Sequence, residues 1–337
     1  MGAQKVLYIG GTGEISYGCI EAGLELGQQI AVYNRGTSGV RLPEGVRRIK
    51  GDVNDAAAYA ALARERWDAV CQFRCFDTDQ ARCDIEVFSG KTGQFVFISS
   101  ATVYQRPPRD YAYRVTEDAP LGNPHSDYAT KKLACERLYF EAHAAGKLPV
   151  TVVRPSHTNR VRFPGTFIGG DHIAWRLVQR KPIISHGDGT SLWAVTRCED
   201  FGRAFARLLG NPKALGEAFH ITSDESNPWD AIFRAMADEL GVEANLVHVP
   251  SDTLVRYEPK WAGALHGDKT WSFVFDNSKV KAAVGGWSCR HNMRDAIAMA
   301  APHVRRTLER FTPDAQADAL MDRIVRDQQA LGAASRQ

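Results

Sequence analysis

Lys5-Val-Leu-Tyr-Ile-Gly10-Gly-Thr-Gly13-Glu-Ile-Ser16 runs from a short apolar strand through a tight glycine turn into the start of a helix. Gly10 permits the turn. Gly13 lets the backbone approach a pyrophosphate at the helix N-terminus, where free N–H groups and the helix dipole favour anions. The spacing G-x-x-G-x-x-S puts Ser16 where a third glycine usually allows close helix–sheet packing, and serine is small enough to keep that contact. A glycine triplet alone says little; its place between a first strand and a first helix makes it a dinucleotide-binding turn.

Working outward, β-like runs at 5–9, 30–33, 47–51, 69–73, 94–98 and 150–153 alternate with helical stretches, notably 15–26 and 127–145, the latter capped by Ser126 and stopped at Gly146. Parallel strands need such crossovers. The fold class is therefore α/β, a Rossmann-type doubly wound parallel sheet with a smaller C-terminal substrate lobe. The expected division is 1–166 for the cofactor-binding domain, with later strands from about 190–225, then 167–189 and 226–311 for the substrate-binding lobe. A C-terminal helix and tail occupy 312–337 and are either packed on the body or used in self-association. Past residue 160, Pro164, Gly169-Gly170 and Gly187-Asp-Gly189 break the rhythm. Strands are expected at 218–221, 246–249 and 273–275, and helices at 199–209, 229–240, 293–311 and 313–333. Trp175, Trp193, Trp229, Trp261 and Trp271 fall here and read chiefly as lobe core.

Composition narrows the partners. The 337 residues hold 42 basic and 39 acidic side chains, a net charge of +3, which argues against a dedicated nucleic-acid or membrane-surface binder. No apolar run approaches the ~18 residues of a membrane span, and no signal peptide is evident, so a cytoplasmic location is expected. The seven scattered cysteines read as reduced thiols. Cys71, Cys75 and Cys83 lack the close pairing of a zinc site and have no neighbouring histidine, so no metal is expected.

The second strand ends in Asn34-Arg35-Gly36-Thr37-Ser38. No carboxylate stands there to repel an adenosine 2′-phosphate, and Arg35 can stack on adenine or pair with that phosphate, or lie on the surface. Between NAD and NADP, Asn34-Arg35 favours NADP. Asp52, after the third strand, is placed to accept from the adenine amino group.

Tyr128 and Lys132 stand four apart on one helix face. A lysine ammonium beside a phenol is expected to lower the phenol pKa, and such a tyrosine can exchange the proton of an alcohol while hydride passes to or from nicotinamide. Phe97-Ile-Ser-Ser100-Ala-Thr-Val-Tyr104, just after a strand, supplies Ser100 to hydrogen-bond the substrate oxygen.

Together G-G-T-G-x-I-S, S-S-A-T-V-Y and Y-x-x-x-K resemble the extended (atypical) short-chain dehydrogenase/reductases, in particular the NAD-dependent epimerase/dehydratase family. The likeness runs along nearly the whole chain, through Val152-Val-Arg-Pro155, Gly187-Asp-Gly189 and Asp276-Asn-Ser-Lys279. It implies Ser100, Tyr128 and Lys132 as the catalytic triad, with Lys132 also bonding the nicotinamide ribose. It implies cofactor contacts from Gly10, Thr12, Gly13, Glu14, Ile15, Asn34, Arg35, Asp52, Val53, Phe73, Arg74, Ser99, Tyr128, Lys132 and Pro155. A homodimer through the tyrosine-bearing helix is the matching expectation.

Three departures bear on the substrate. Gln72-Phe-Arg74-Cys75 replaces the usual pair of alanines, and Arg74 contacts pyrophosphate or substrate or points outward. Trp193 and Leu265 stand where sugar-nucleotide members carry two diphosphate-binding arginines, unless Arg197 or Arg176 compensates from elsewhere. This leans towards a sugar-like, nucleoside or polyol substrate with less phosphate, with Trp193 as a stacking surface or a core residue. Ala101-Thr102 replaces the Asp-Glu pair of dehydratases, leaving His157 as an acid/base candidate or a structural residue. Thr102, His157, Trp193 and Arg197 are thus the candidate substrate residues.

The expected reaction is transient oxidation of a secondary alcohol, which acidifies the neighbouring C–H and permits epimerisation or elimination before hydride returns. The alternatives are a net NADPH-dependent ketoreductase or dehydrogenase and, in another class, an RNA-binding or cofactor-sensing relative. The complete triad argues against the last.

Overall fold

The computed structural model describes residues 3–108 and 114–334. Its centre is a seven-stranded, all-parallel sheet. The strands are β1 (Lys5–Ile9), β2 (Gln29–Asn34), β3 (Arg47–Lys50), β4 (Ala69–Gln72), β5 (Phe95–Ile98), β6 (Val150–Pro155) and, later in the chain, Ala218–Ile221. Their order is Ala218–Ile221, β6, β5, β4, β1, β2, β3. The direction of winding reverses between β1 and β4, and a crevice opens there at the strands' C-terminal ends. Val6, Leu7, Tyr8 and Ile9 are all fully buried, as a parallel strand covered on both faces requires.

Helices α1 (Ser16–Glu25), α2 (Ala56–Ala60), α3 (Thr78–Phe88), α4 (Asp127–Ala144), α5 (Gly170–Val178) and α6 (Cys198–Leu208) follow in chain order. On one face α1 and α6 pack Cys19, Ile20, Phe201 and Phe205 against Val6, Tyr8, Val32 and Val96. On the other, α3 and α4 pack Ala81, Phe88, Cys135 and Tyr139 against Leu7, Val70, Phe95 and Phe97. The α1–α6 crossing is made by two glycines. A Cβ on Gly18 would overlap the Cys198 carbonyl, and one on Gly202 would overlap the Gly18 carbonyl.

Under α3 lies a buried carboxylate. Asp84 accepts hydrogen bonds from Tyr59, Tyr139 (2.6 Å), Gln72 (3.0 Å) and Gln80 (3.0 Å). Burial nonetheless raises its pKa to about 6, with the four donors opposing the shift. A carboxyl raised above its unfolded value contributes stability that is fully present below that value and is lost as pH rises through about 6. Asp84→Asn should therefore gain stability relative to the parent, on the order of 3 kcal/mol, between acid and neutral pH. Urea midpoints measured across that range check this; a difference that does not change with pH contradicts it.

The remaining elements build a second core. Ile173 and Leu177 of α5, Trp229, Phe233 and Met236 of α7 (Trp229–Leu240), and Ile297 and Val304 of the helix Met293–Leu308 form it. The helix Ala315–Ala334 packs on the body: Met321, Ile324 and Val325 bury against Val249 and Leu254. Arg176, fully buried, pins that helix by binding the Pro182 carbonyl, Asp318 and Asp322. The final residues 335–337 of the expected tail lie outside the described residues.

Two strand expectations take a different form. Within 190–225 only Ala218–Ile221 enters the central sheet. Val195–Arg197 pairs instead with His157–Asn159, and Leu192–Trp193 with Asn227–Pro228. The stretch 273–275 is no strand. It makes one isolated bridge, Val115 to Phe275, and its Phe273 amide donates to the Leu192 carbonyl (3.1 Å). No helix among the described residues is long and apolar enough to cross a membrane.

Candidate active site

The glycine turn between β1 and α1 sits at the crevice. Gly10 and Gly11 have φ of +115° and +94°, and a side chain on Gly11 would strike Val32, so Gly11 joins Gly10 as a position only glycine fills. A Cβ on Gly13 would meet nothing closer than the Ser16 hydroxyl at 3.6 Å. The space above it is open, and its N–H donates to Ser16 Oγ (3.0 Å). Ser16 is buried, as the packing argument requires. The first turn of α1 has neither a side-chain cap nor an acidic residue, which leaves its dipole free for an anion. Glu14 does something else: its carboxylate accepts from the N–H groups of Arg160 (2.7 Å) and Val161 (2.9 Å), tying the turn to the far loop. Ile15 packs against the core beneath the turn.

Beside the turn is a cavity of about 250 Å³ lined by Thr12, Asn34, Arg35, Asp52, Val53 and Arg74, among others. Asn34 is held by the Gly36 amide (3.0 Å), and Asp52 Oδ1 caps its own turn at Asn54 (3.0 Å). Arg35 and Arg74 both face this cavity, and neither has an ion-pair partner among the described residues. Phe73 lies under Gly10, with its N–H on the Ile9 carbonyl (3.0 Å) and its ring stacked on Tyr8. At the ends of β5 and β6, the buried hydroxyls of Ser99 and Ser156 have no hydrogen-bond partner among the described residues, and Pro155 closes β6. A free helix N-terminus, a neighbouring cavity lined by two arginines and one carboxylate, and orphaned hydroxyls along the crevice fit a nicotinamide dinucleotide.

Ser100, Tyr128 and Lys132, the residues expected as a triad, lie near one another at the crevice mouth. Ser126 caps α4 by accepting from the Ala129 amide (3.3 Å), which sets Tyr128 and Lys132 on one face. Ser100 begins a short 3-10 turn, and its Oγ accepts from the Thr102 amide (3.2 Å) and hydroxyl (2.9 Å), leaving its own proton to donate. Tyr128 is 45% exposed, yet its hydroxyl end is covered. Burial raises its pKa, the nearby Ser100 hydroxyl opposes this, and the charge of Asp268 adds to the rise. Lys132 is buried, and its ammonium donates to the carbonyls of Cys75 (2.7 Å) and Ile98 (2.8 Å), 5.8 Å from the centre of the Tyr128 ring. Burial lowers its own pKa to about 8. The expected depression of the phenol pKa by lysine is thus corrected. In this state Tyr128 stands above its ordinary value, because desolvation outweighs any distant charge.

The substrate candidates divide. Thr102 stands directly on Ser100. His157 is pushed down to about 3 by burial and by the Lys269 charge, so it is neutral and cannot supply a proton at neutral pH. Trp193 is buried, with Trp229 stacked near it and the Lys269 ammonium 4.1 Å over its ring, so it offers no free face for a nucleobase. Arg197 is paired with Glu199 (2.8 Å) and bonds the Arg160 carbonyl, and Arg176 is fixed in the lobe. Neither replaces a diphosphate-binding arginine.

Reasoning from sequence passed over Arg106, Asn123, Asp268 and Lys269. Asn123 Nδ2 donates to the carbonyls of Thr102 (2.9 Å) and Gly267 (2.7 Å), binding the Ser100 segment to the turn Leu265–Lys269.

Comparison with known proteins bears on the family and the fold. The model of the NAD dependent epimerase/dehydratase family matches residues 6–222. A Streptomyces kanamyceticus protein named 2′-dehydrokanamycin reductase is 29% identical over 278 residues, covering 81% of this chain and 76% of its own length. An Arabidopsis thaliana protein named chloroplast stem-loop binding protein of 41 kDa b is 25% identical, covering 76% of this chain and 67% of its own. Among solved structures, an epimerase from Methanothermobacter thermautotrophicus superposes with a TM-score of 0.74 at 17% identity, covering 91% of this chain and 94% of that one. A Thermus thermophilus UDP-glucose 4-epimerase complexed with NAD gives 0.69 at 20% identity, covering 90% and 99%. At these identities the structures speak for the fold.

Proposed function

This chain belongs to the NAD dependent epimerase/dehydratase family, and from that premise we propose that it moves hydride between a nicotinamide cofactor and a secondary alcohol or ketone of a sugar-like polyol. The observation that carries the proposal is the convergence of Ser100, Tyr128 and Lys132 at the open end of the parallel sheet. Ser100 donates to the substrate oxygen and fixes its position. Tyr128 gives its phenolic proton to that oxygen in reduction and takes it back in oxidation. Lys132, already anchored on two carbonyls, has a third N–H for the nicotinamide ribose. The cofactor, when bound, supplies or accepts the hydride.

Two directions use the same residues. Transient oxidation followed by epimerisation needs only Tyr128 and a ketone. Elimination of water also needs an acid, and neutral His157 does not provide one at neutral pH. Net reduction by NADPH is favoured by a specific feature, the two arginines of the cavity beside the glycine turn, neither of which is ion-paired among the described residues. The relative named 2′-dehydrokanamycin reductase supports the same direction.

Arg35→Ala and Arg74→Ala should each weaken NADPH binding by about 10- to 100-fold, the scale of a lost charge-assisted hydrogen bond, with NADH affinity nearly unchanged. Fluorescence titration of both reduced cofactors reads this directly. A parent protein that binds NADH more tightly than NADPH would rule out the NADP preference. Consumption of reduced nicotinamide with keto-sugars would separate net reduction from an epimerase, which returns its cofactor unchanged in each cycle.

A further inference from the structure

Away from the crevice, a second cavity of about 670 Å³ opens between Val161 and Arg162, the start of α5, and the C-terminal end of the helix Met293–Leu308. Its volume is that of a small-molecule site. No residue of the glycine turn and none of Ser100, Tyr128 and Lys132 lines it. One loop joins the two sites, because the Val161 N–H donates to the Glu14 carboxylate (2.9 Å).

The lining carries more charge than it neutralises. Arg162, Arg306 and Arg310 are exposed to this space, and none of them has a carboxylate within ion-pair reach among the described residues. Arg306 donates only to Nδ1 of His303 (3.0 Å). That imidazole is held below its ordinary pKa by desolvation and by the charges of Arg306, Arg160 and Arg197, so the potential at this corner is positive. A cation in the last turn of a helix complements the helix dipole, which accounts for Arg306. It does not account for Arg310, which lies beyond the helix, or for Arg162, which reaches the same space from another segment.

Asp171 and Glu309 also line the cavity, and neither is ion-paired among the described residues. Arginines and carboxylates that share a cavity without pairing leave both kinds of group to a ligand. The guanidiniums suit an oxyanion, which each can grip with two parallel hydrogen bonds. The carboxylates accept from hydroxyl groups and repel a ligand that is anionic throughout.

We propose that this cavity binds a small phosphorylated polyol, with its phosphate on Arg162, Arg306 and Arg310 and its hydroxyls donating to Asp171 and Glu309. The site takes no part in hydride transfer, and its test needs neither turnover nor cofactor.

The test is calorimetric titration of glucose 6-phosphate into the full chain, with inorganic phosphate and glucose as companion probes. Glucose 6-phosphate should bind with a submillimolar Kd, phosphate more weakly, and glucose not measurably. Arg306→Gln with Arg310→Gln should weaken glucose 6-phosphate binding by about 100-fold, or about tenfold for each charge-assisted contact. Both side chains are exposed, so the denaturation midpoint should not move. Arg306→Lys should keep part of the affinity. Asp171→Asn should weaken the sugar phosphate without weakening phosphate. Arg35→Ala, in the cavity beside the glycine turn, should bind glucose 6-phosphate as the parent does. The proposal is overturned if glucose 6-phosphate does not bind at millimolar concentration, or if the double variant binds it as the parent does. Loss of binding in Arg35→Ala would place the anion in the other cavity and overturn it too. Equal affinity for phosphate and glucose 6-phosphate would contradict the part assigned to Asp171 and Glu309.

Discussion

Tyr128→Phe should lower turnover about 1,000-fold while leaving cofactor affinity within a small factor of the parent, because it removes one proton and nothing else. The hydroxyl is the group that sits against Ser100, whereas the ring forms part of the crevice wall and is retained in phenylalanine. Ser100 keeps its bonds to Thr102, and Lys132 keeps its two carbonyls, so the cofactor pocket should not change. The expected signature is a loss in kcat with little change in KM for the cofactor. Since burial holds the free phenol above its ordinary pKa, the residual activity of the variant should also lose any steep rise of the oxidation rate at alkaline pH. Turnover near the parent's would remove Tyr128 from the mechanism.

Gly202→Val should destabilise the fold by roughly 4 kcal/mol or more. The clash is with backbone: a Cβ there overlaps the Gly18 carbonyl, and the reciprocal position on α1 overlaps the Cys198 carbonyl. Backbone cannot rotate away as a side chain can, so the helices must separate. Separation exposes Cys19, Ile20, Phe201 and Phe205, which the sheet otherwise buries. Because α1 carries the glycine turn at its N-terminus, cofactor affinity should fall with stability. Gly169→Ala is the matched control. Nothing lies within 4 Å of a Cβ at that position, and the change should cost under about 1 kcal/mol. Denaturant midpoints for both variants check the pair, and equal effects would contradict a backbone contact at Gly202.

What the chain discloses in one dimension follows from where its determinants are local. The strand–turn–helix at 5–16 and the helix bearing Tyr128 and Lys132 are contiguous patterns, and the structure builds both as the pattern implies. β1, β2 and β4 read easily because parallel strands covered on both faces are continuous apolar runs. The helix α3 was passed over because its pattern is weak: charged residues interrupt Ala81, Ile85 and Phe88, and the buried polar Asp84 sits on its inner face. The stretch 273–275 has strand composition, but its contacts are an isolated bridge to Val115 and the Phe273 amide on the Leu192 carbonyl rather than a ladder, which no local pattern records.

The site shows the same division. Arg74 could not be placed from sequence, since its direction depends on packing around Phe73 and Gly10. Leu265-His-Gly-Asp268 reads in sequence only as the place of a missing arginine, and Lys269 carries no motif. Their place beside Ser100 depends on Asn123, which bonds Gly267 to Thr102 across the fold. The paired carboxylates that occupy Arg197 and Arg176 are likewise tertiary facts, although Glu199 stands only two residues from Arg197. Charge counted along the chain thus overstated the free cations near the substrate, and partner identity decides which of them can bind a ligand.

The most direct test of hydride transfer at this site is a single-turnover measurement of reduced-nicotinamide absorbance. Protein loaded with stoichiometric NADPH is mixed with keto-sugars that carry no phosphate, in parallel for the parent and Tyr128→Phe. The account predicts loss of the absorbance in the parent with at least one such ketone, and a rate slower by about three orders of magnitude in the variant. Equal rates in the two proteins, or an unchanged signal with every ketone and with the corresponding alcohols and NADP⁺, would contradict it.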